Sequence, residues 1–150
     1  MRLGSLTRPD LIFPDLTAAD RAQVLRAFAD RIAGSGLVRD AGTLYQRLAE
    51  REELGSTGIG GGIAIPHCKV DGLQKGVVAV GRVLDGVDFG ASAGQPARLF
   101  FLVLSPSQSP AEHLQALAAI SRWIKGGGRA QALLEQPGAK EIYTYLQQEG

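Results

Sequence analysis

Apolar and polar positions alternate along this chain with two different periods. From Ala22 the apolar residues recur at Leu25, Phe28, Ala29 and Ile32, the spacing of one helix face. Thr17-Ala18-Ala19-Asp20 ahead of them reads as a capping box, and Gly34 and Gly36 mark the stop. A second helix is predicted over Ala41–Glu53, with a stripe of Ala41, Leu44 and Leu48 whose next member is Arg51. The period then shortens. Ile63 and Ile65 suggest a short strand leading into His67, and Gly76–Leu84 is a valine-rich strand closed by an Asp85-Gly86 turn. Arg98–Leu104 is nearly all apolar, as expected of a strand covered on both faces. Ser109-Pro110-Ala111-Glu112 is a second capping box, with proline at the favoured first helical position. The helix it opens carries Leu114, Leu117, Ile120 and Ile124 and ends at Gly126-Gly127-Gly128. Two shorter helices follow, around Ala130–Glu135 and Ala139–Gln147, split by Pro137-Gly138. Helices interleaved with buried strands predict an α/β fold, a single β-sheet flanked by helices on both faces. The 150 residues are expected to form a single domain.

Composition narrows the class. The net charge of +1 gives no electrostatic case for a nucleic-acid partner or an anionic membrane. The one cysteine, Cys68, excludes an internal disulfide framework and fits a reducing compartment. Residues Met1–Asp10 lack an apolar signal core, and the longest apolar run, Leu99–Leu104, is far short of a membrane span. The expectation is a soluble cytoplasmic protein.

Candidate chemistry gathers in Gly55–His67, GSTGIGGGIAIPH. It is not a phosphate-binding Walker loop, because Gly61-Gly62 stands where lysine and a hydroxyl residue are required. It is not a dinucleotide fingerprint, since the third glycine would fall at Ile63 or Ile65. Zinc is poorly served: His67 and Cys68 are adjacent, and His113 is the one remaining histidine. No metal or other cofactor is expected. Cys68 could be a nucleophile, although its ordinary role is that of a small buried hydrophobe. The reading that remains is an anion cradle. Glycines such as Gly58 and Gly60 let several backbone N–H groups converge, Ser56 and Thr57 add hydroxyl donors, and the loop delivers an imidazole that is mostly neutral at physiological pH. Arg51, continuing an inward stripe, can hold phosphate oxygens with its planar fork. His113 falls in the first turn after the apolar strand, and ligands of open α/β sheets gather outside strand C-termini.

The motif GSTGIGGGIAIPH, preceded by Arg51-Glu52, resembles the active-site motif of enzyme IIA domains of the bacterial phosphotransferase system, of the fructose/mannitol class and nearest in pattern to the nitrogen-regulatory enzyme IIA. The likeness extends to the opening helix, GVDFG at Gly86–Gly90, the strand Leu99–Leu104 and Glu112-His113-Leu114. It implies a mixed sheet flanked by helices. It implies that His67 accepts a phosphoryl group from the phosphohistidine of an HPr-like phosphocarrier, with Arg51 beside that group and His113 as a second histidine next to the first. Two departures stand out: Gly61, often asparagine in relatives, and Ser121–Ala130, which replaces the more usual charged helix continuation.

The resemblance leaves three uses open. A nitrogen-type IIA signals to regulatory target proteins by its phosphorylation state, and family members are tied to nitrogen and potassium physiology. A sugar-transport IIA passes the group to a IIB domain. A phosphotransfer-silent module would keep only the fold. The complete motif disfavours the last, and the nearness to the nitrogen type favours the first.

Overall fold

The computed structural model of the chain describes residues 2–90 and 94–149. Six strands form one sheet: β1 (Ile12–Phe13), β2 (Gly58–Gly60), β3 (Ile63–Ala64), β4 (His67–Val70), β5 (Val77–Val87) and β6 (Ala97–Pro106). Around it stand α1 (Arg21–Gly34), α2 (Ala41–Glu53), α3 (Pro110–Ile124), α4 (Arg129–Glu135) and α5 (Ala139–Glu149). The main path through the sheet runs β1-β5-β6-β3-β2. Strand β6 is the spine. It pairs antiparallel with β5 on one side and parallel with both β3 and β4 on the other. The sheet is therefore mixed, as the sequence suggests.

Alternation along β5 and β6 sorts the core into two layers. Val77, Ala79, Phe100, Leu102 and Leu104 face α1 and α2, together with Leu25, Phe28, Leu44 and Leu48. Val78, Val80, Leu99, Phe101 and Val103 face α3, α4 and α5, where Ile120, Trp123, Leu133, Ile142 and Leu146 close the layer. Each buried side chain of this size contributes roughly 1.5–3 kcal/mol relative to exposure. The two layers press close to the sheet. A Cβ on Gly81 would lie 2.5 Å from the Phe28 ring and 2.7 Å from Leu16, so glycine is what lets α1 lie flat on β5.

Several local expectations are corrected. The first capping box is formed three residues later than predicted: Asp20 accepts from Gln23 N at 2.8 Å, and Gln23 Oε1 accepts from Ala19 N at 2.7 Å. Ser109 makes no side-chain cap, and Glu112 instead accepts from Gly76 N at 2.8 Å, tying α3 to the start of β5. Asp85-Gly86 is not a turn. Strand β5 runs through it with a register shift against β6, and Gly86 takes φ +81°. The inward stripe of α3 is Ala116, Ala119, Ile120 and Trp123, while Leu114 is 67% exposed. The strand expected over Ile63–His67 is two strands separated at Ile65-Pro66, both on the same edge of β6.

Arg82 is the one charged side chain of β5 facing the α3–α5 layer, and it is buried. Its Nη1 donates to the carbonyls of Leu133, Leu134 and Gln136 at 3.0, 3.3 and 2.6 Å, and its Nε to Pro14 O at 3.2 Å. A cation there meets the orphan carbonyls and the negative pole of α4's last turn.

Candidate phosphotransfer site

The site forms where the two helical layers reach one edge of the sheet. Helix α2, from one face, brings Arg51 in its last turn. Helix α3, from the other, brings His113 in its first. Between them, β4 starts at His67, opposite Val103 of β6. The cleft has a volume of about 620 Å³, and its lining includes Arg47, Glu50, Arg51, Glu53, His67, Cys68, Lys69 and His113. The bases Arg47, Arg51 and Lys69 outnumber the acids Glu50 and Glu53, so the setting favours a small anion.

The local chain explains how His67 is aimed. Pro66 fixes the backbone before it. His67 Nδ1 lies 2.8 Å from the carbonyl of Ile65, which can only accept, so the ring proton sits on Nδ1. The Nε2 lone pair is then free to accept from Arg51 Nε, at 3.1 Å. Arg51 Nη1 also donates to Gly55 O at 2.9 Å, which holds the guanidinium across the cleft. Burial lowers the pKa of His67 below the ordinary histidine value. The Arg51 charge lowers it further, against opposing effects of the Ile65 carbonyl and Glu52. His113 stands with its ring centre 5.1 Å from that of His67, the planes tilted by 57°. Its pKa is lowered first by burial, then by His67, Lys69 and Arg51. Both rings are thus held neutral, the state in which imidazole nitrogen is nucleophilic.

The structure brings together Arg51, His67 and His113. It gives Ser56, Thr57, Gly58 and Gly60, the expected phosphate cradle, a different occupation. None of the four lines the cleft. Thr57 is buried, with its N–H on Glu52 Oε2 at 3.2 Å and its hydroxyl on Glu52 Oε1. Ser56 Oγ bonds Phe89 O and accepts from Gly58 N at 3.0 Å. Gly58 and Gly60 build strand β2 against β3, and Gly60, Gly61 and Gly62 turn the chain between them with φ of +85°, +65° and +81°. The glycines are there for a reversal that side-chain-bearing residues adopt poorly. Cys68 points the other way from His67, into the α1–α2 layer, and burial pushes its thiol up to about 12. A thiol so rarely ionised is not a nucleophile.

Comparison with known proteins gives the family. Residues 5–149 match the family model described as "Phosphoenolpyruvate-dependent sugar phosphotransferase system, EIIA 2". The chain belongs to the EIIA 2 family. A nitrogen regulatory protein of Pseudomonas aeruginosa is 34% identical over 146 residues, covering 97% of this chain and 95% of that protein. A fructose-specific EIIA component of Haloferax volcanii is 33% identical over 144 residues, covering 96% and 94%. Among solved structures, the nitrogen regulatory protein IIA-Ntr of Neisseria meningitidis superposes with a TM-score of 0.84 at 27% identity, covering 95% of this chain and 97% of that one.

Two residues that support this cleft were not singled out from the sequence. Glu52 is buried and anchors the glycine loop to α2 through Thr57, with Arg21 Nη1 3.5 Å from its carboxylate. A signal existed: an acid in the last turn of a helix opposes the helix dipole, so something must hold it there. Ser105 is fully buried at the end of β6, with Oγ 2.8 Å from His113 Nδ1. Its signal was a lone hydroxyl ending an apolar run.

Proposed function

We propose that this EIIA 2 chain is a phosphocarrier that takes a phosphoryl group on Nε2 of His67 from an HPr-like phosphohistidine carrier, in the cytoplasm, and signals by its phosphorylation state. The observation that carries the reading is the aim of His67: Nδ1–H on a carbonyl, and the Nε2 lone pair in a cationic cleft, held only by a side chain that can swing aside. In the transfer, the donor's P–N bond breaks and its electron pair returns to the donor ring, which keeps its own N–H and leaves as neutral imidazole. The new P–N bond forms at Nε2 of His67, and the Nδ1 proton stays on Nδ1, still donated to the Ile65 carbonyl. No proton crosses between the rings and no metal is needed. Arg51, displaced from the lone pair, turns its N–H groups onto the phosphoryl oxygens, where charge-assisted bonds are strongest.

The test is incubation with phosphoenolpyruvate and the upstream carrier proteins, read by intact mass. One phosphoryl group, labile in acid and stable in base, is expected on the wild-type chain and none on His67→Ala. Undiminished labelling of His67→Ala would sink the reading.

The regulatory use is supported by the two nitrogen regulatory relatives, from Pseudomonas aeruginosa and Neisseria meningitidis, whose lengths the chain nearly spans. Regulatory target proteins are then its downstream partners. The fructose-specific relative of Haloferax volcanii supports a second use, delivery to a IIB domain in sugar uptake. Mixing the phosphorylated chain with a IIB domain separates the two. Rapid loss of label from His67 to that domain favours transport, and retention favours signalling. Among the described residues no helix is long and apolar enough to cross a membrane.

A further inference from the structure

Along β6, Leu99, Phe101 and Val103 face the α3–α5 layer, and the next position in that row is Ser105. The alternation calls for an aliphatic residue there, and the chain places a fully buried hydroxyl instead. Its hydrogen-bond partner is His113 Nδ1, at 2.8 Å, eight residues on and one loop away. Two arrangements satisfy that distance. If Nδ1–H donated to Oγ, the hydroxyl proton of Ser105 would be buried with no acceptor, the costlier arrangement for a group cut off from water. If the hydroxyl donates, Nδ1 is the acceptor and the neutral ring carries its proton on Nε2. The second arrangement pairs both the buried hydroxyl and Nδ1, and leaves Nε2–H facing the cleft.

We propose that Ser105 is a positioning residue of phosphotransfer: its hydroxyl donates to Nδ1 of His113, holds that imidazole in the Nε2–H form, and so makes it a hydrogen-bond donor to the phosphoryl group rather than a second acceptor of it. The proposal rests on the reading of His67 as the acceptor. Under it the two neighbouring rings carry opposite tautomers. His67 carries its proton on Nδ1, donated to the Ile65 carbonyl, and keeps a lone pair on Nε2. His113 is protonated on Nε2, and its one lone pair is buried against a hydroxyl. Two histidines in contact thus differ in what they can do, and the difference is set by what lies behind each ring. A phosphoryl group on His67 meets an N–H from His113 without any proton having to move first. His113 has no free lone pair with which to intercept it.

The tautomers are read directly by ring-nitrogen NMR of the unphosphorylated full chain, which involves no transfer and so does not depend on the reading of His67. Wild type should show His113 protonated on Nε2 and bare on Nδ1, with His67 the reverse. In Ser105→Ala the His113 preference should be lost, and transfer both onto and off His67 should slow by about two- to tenfold, the worth of one neutral hydrogen bond. The label should stay on His67. Ser105→Thr, which keeps a hydroxyl on the same Cβ, should restore both the tautomer and the rates. A wild-type His113 protonated on Nδ1 would overturn the proposal. So would a Ser105→Ala variant with unchanged ring nitrogens, or one whose slowing is not rescued by threonine. Absence of label on wild type would instead defeat the phosphocarrier reading and leave the tautomer result standing.

Discussion

The end of α2 and the beginning of α3 meet at the same imidazole, and they deliver opposite things. The C-terminal turn of α2 offers Arg51, a permanent cation at the negative pole of its helix. The N-terminal turn of α3 offers His113 at a positive pole, where imidazolium is disfavoured and burial acts in the same direction. One helix end therefore brings fixed charge and the other a neutral donor. Arg51 also donates directly to His67 Nε2, at 3.1 Å, whereas His113 is in ring contact with its neighbour. If His67 takes the phosphoryl group as proposed, the lesson is that such a site can be assembled from two helix termini on opposite faces of a sheet without a cradle of loop amides.

The comparison breaks most readily at Arg51. Arg51→Ala should still fold but accept the phosphoryl group roughly 10- to 100-fold more slowly, the worth of one charge-assisted hydrogen bond. The same variant should let the His67 pKa rise, since a cation is removed, and an NMR titration of the ring checks that shift. Unchanged transfer rates would reduce Arg51 to a solvated helix-end charge.

Glu52 tests the α2 side through stability rather than rate. Glu52→Ala leaves Thr57 N–H and hydroxyl buried without their acceptor and should cost about 1–3 kcal/mol. Chemical denaturation measures it. The loop that leads to His67 would also loosen, so a fall in transfer rate should accompany the loss.

On the α3 side the effect should be smaller. His113→Ala removes one neutral donor and should slow transfer in both directions by no more than about tenfold, with His67 still labelled. Complete loss of labelling would make His113 an acceptor or an essential fold residue and erase the contrast between the two helix ends.

The pH dependence of stability sharpens the comparison least but most generally. Both imidazoles have native pKa values below 6.5, which the unfolded chain retains. Between those values the unfolded state binds more protons, so stability is full above 6.5 and falls as the pH drops below it. A variant with glutamine at both positions should show a flatter acid limb in thermal denaturation. An unchanged limb would mean that neither ring is held neutral by the fold.

Much of this was legible in the sequence, because the 3.6 period is strong in α1 and α2 and the apolar runs of β5 and β6 are nearly unbroken. The span of α2 is the predicted one, Ala41–Glu53. The stripe that ended in Arg51 correctly pointed that side chain at the glycine loop. What could not be read was which hydroxyls would be consumed internally. Ser56 and Thr57 look like phosphate ligands until Phe89 and Glu52 are placed beside them, and those partners come from a distant segment and from a helix end. Strands β1 and β2 are too short, at two and three residues, to show alternation. In α3 the small residues Ala116 and Ala119 took the inward face that Leu114 seemed to claim, because close packing on β6 favours small side chains there.

Arg82 has a consequence for how the molecule comes apart. Its guanidinium joins three separated stretches of chain: Pro14, just after β1, the middle of β5, and the end of α4. Opening α4 alone would strand a buried cation without its carbonyls, which is far costlier than fraying a surface helix. Helix α4 and strand β5 should accordingly belong to one cooperative unit. Native-state hydrogen exchange would show their amides opening at a common free energy, and α4 opening well before β5 would contradict it. A single guanidinium would then act as a rivet, making α4 as long-lived as the strand at the centre of the sheet.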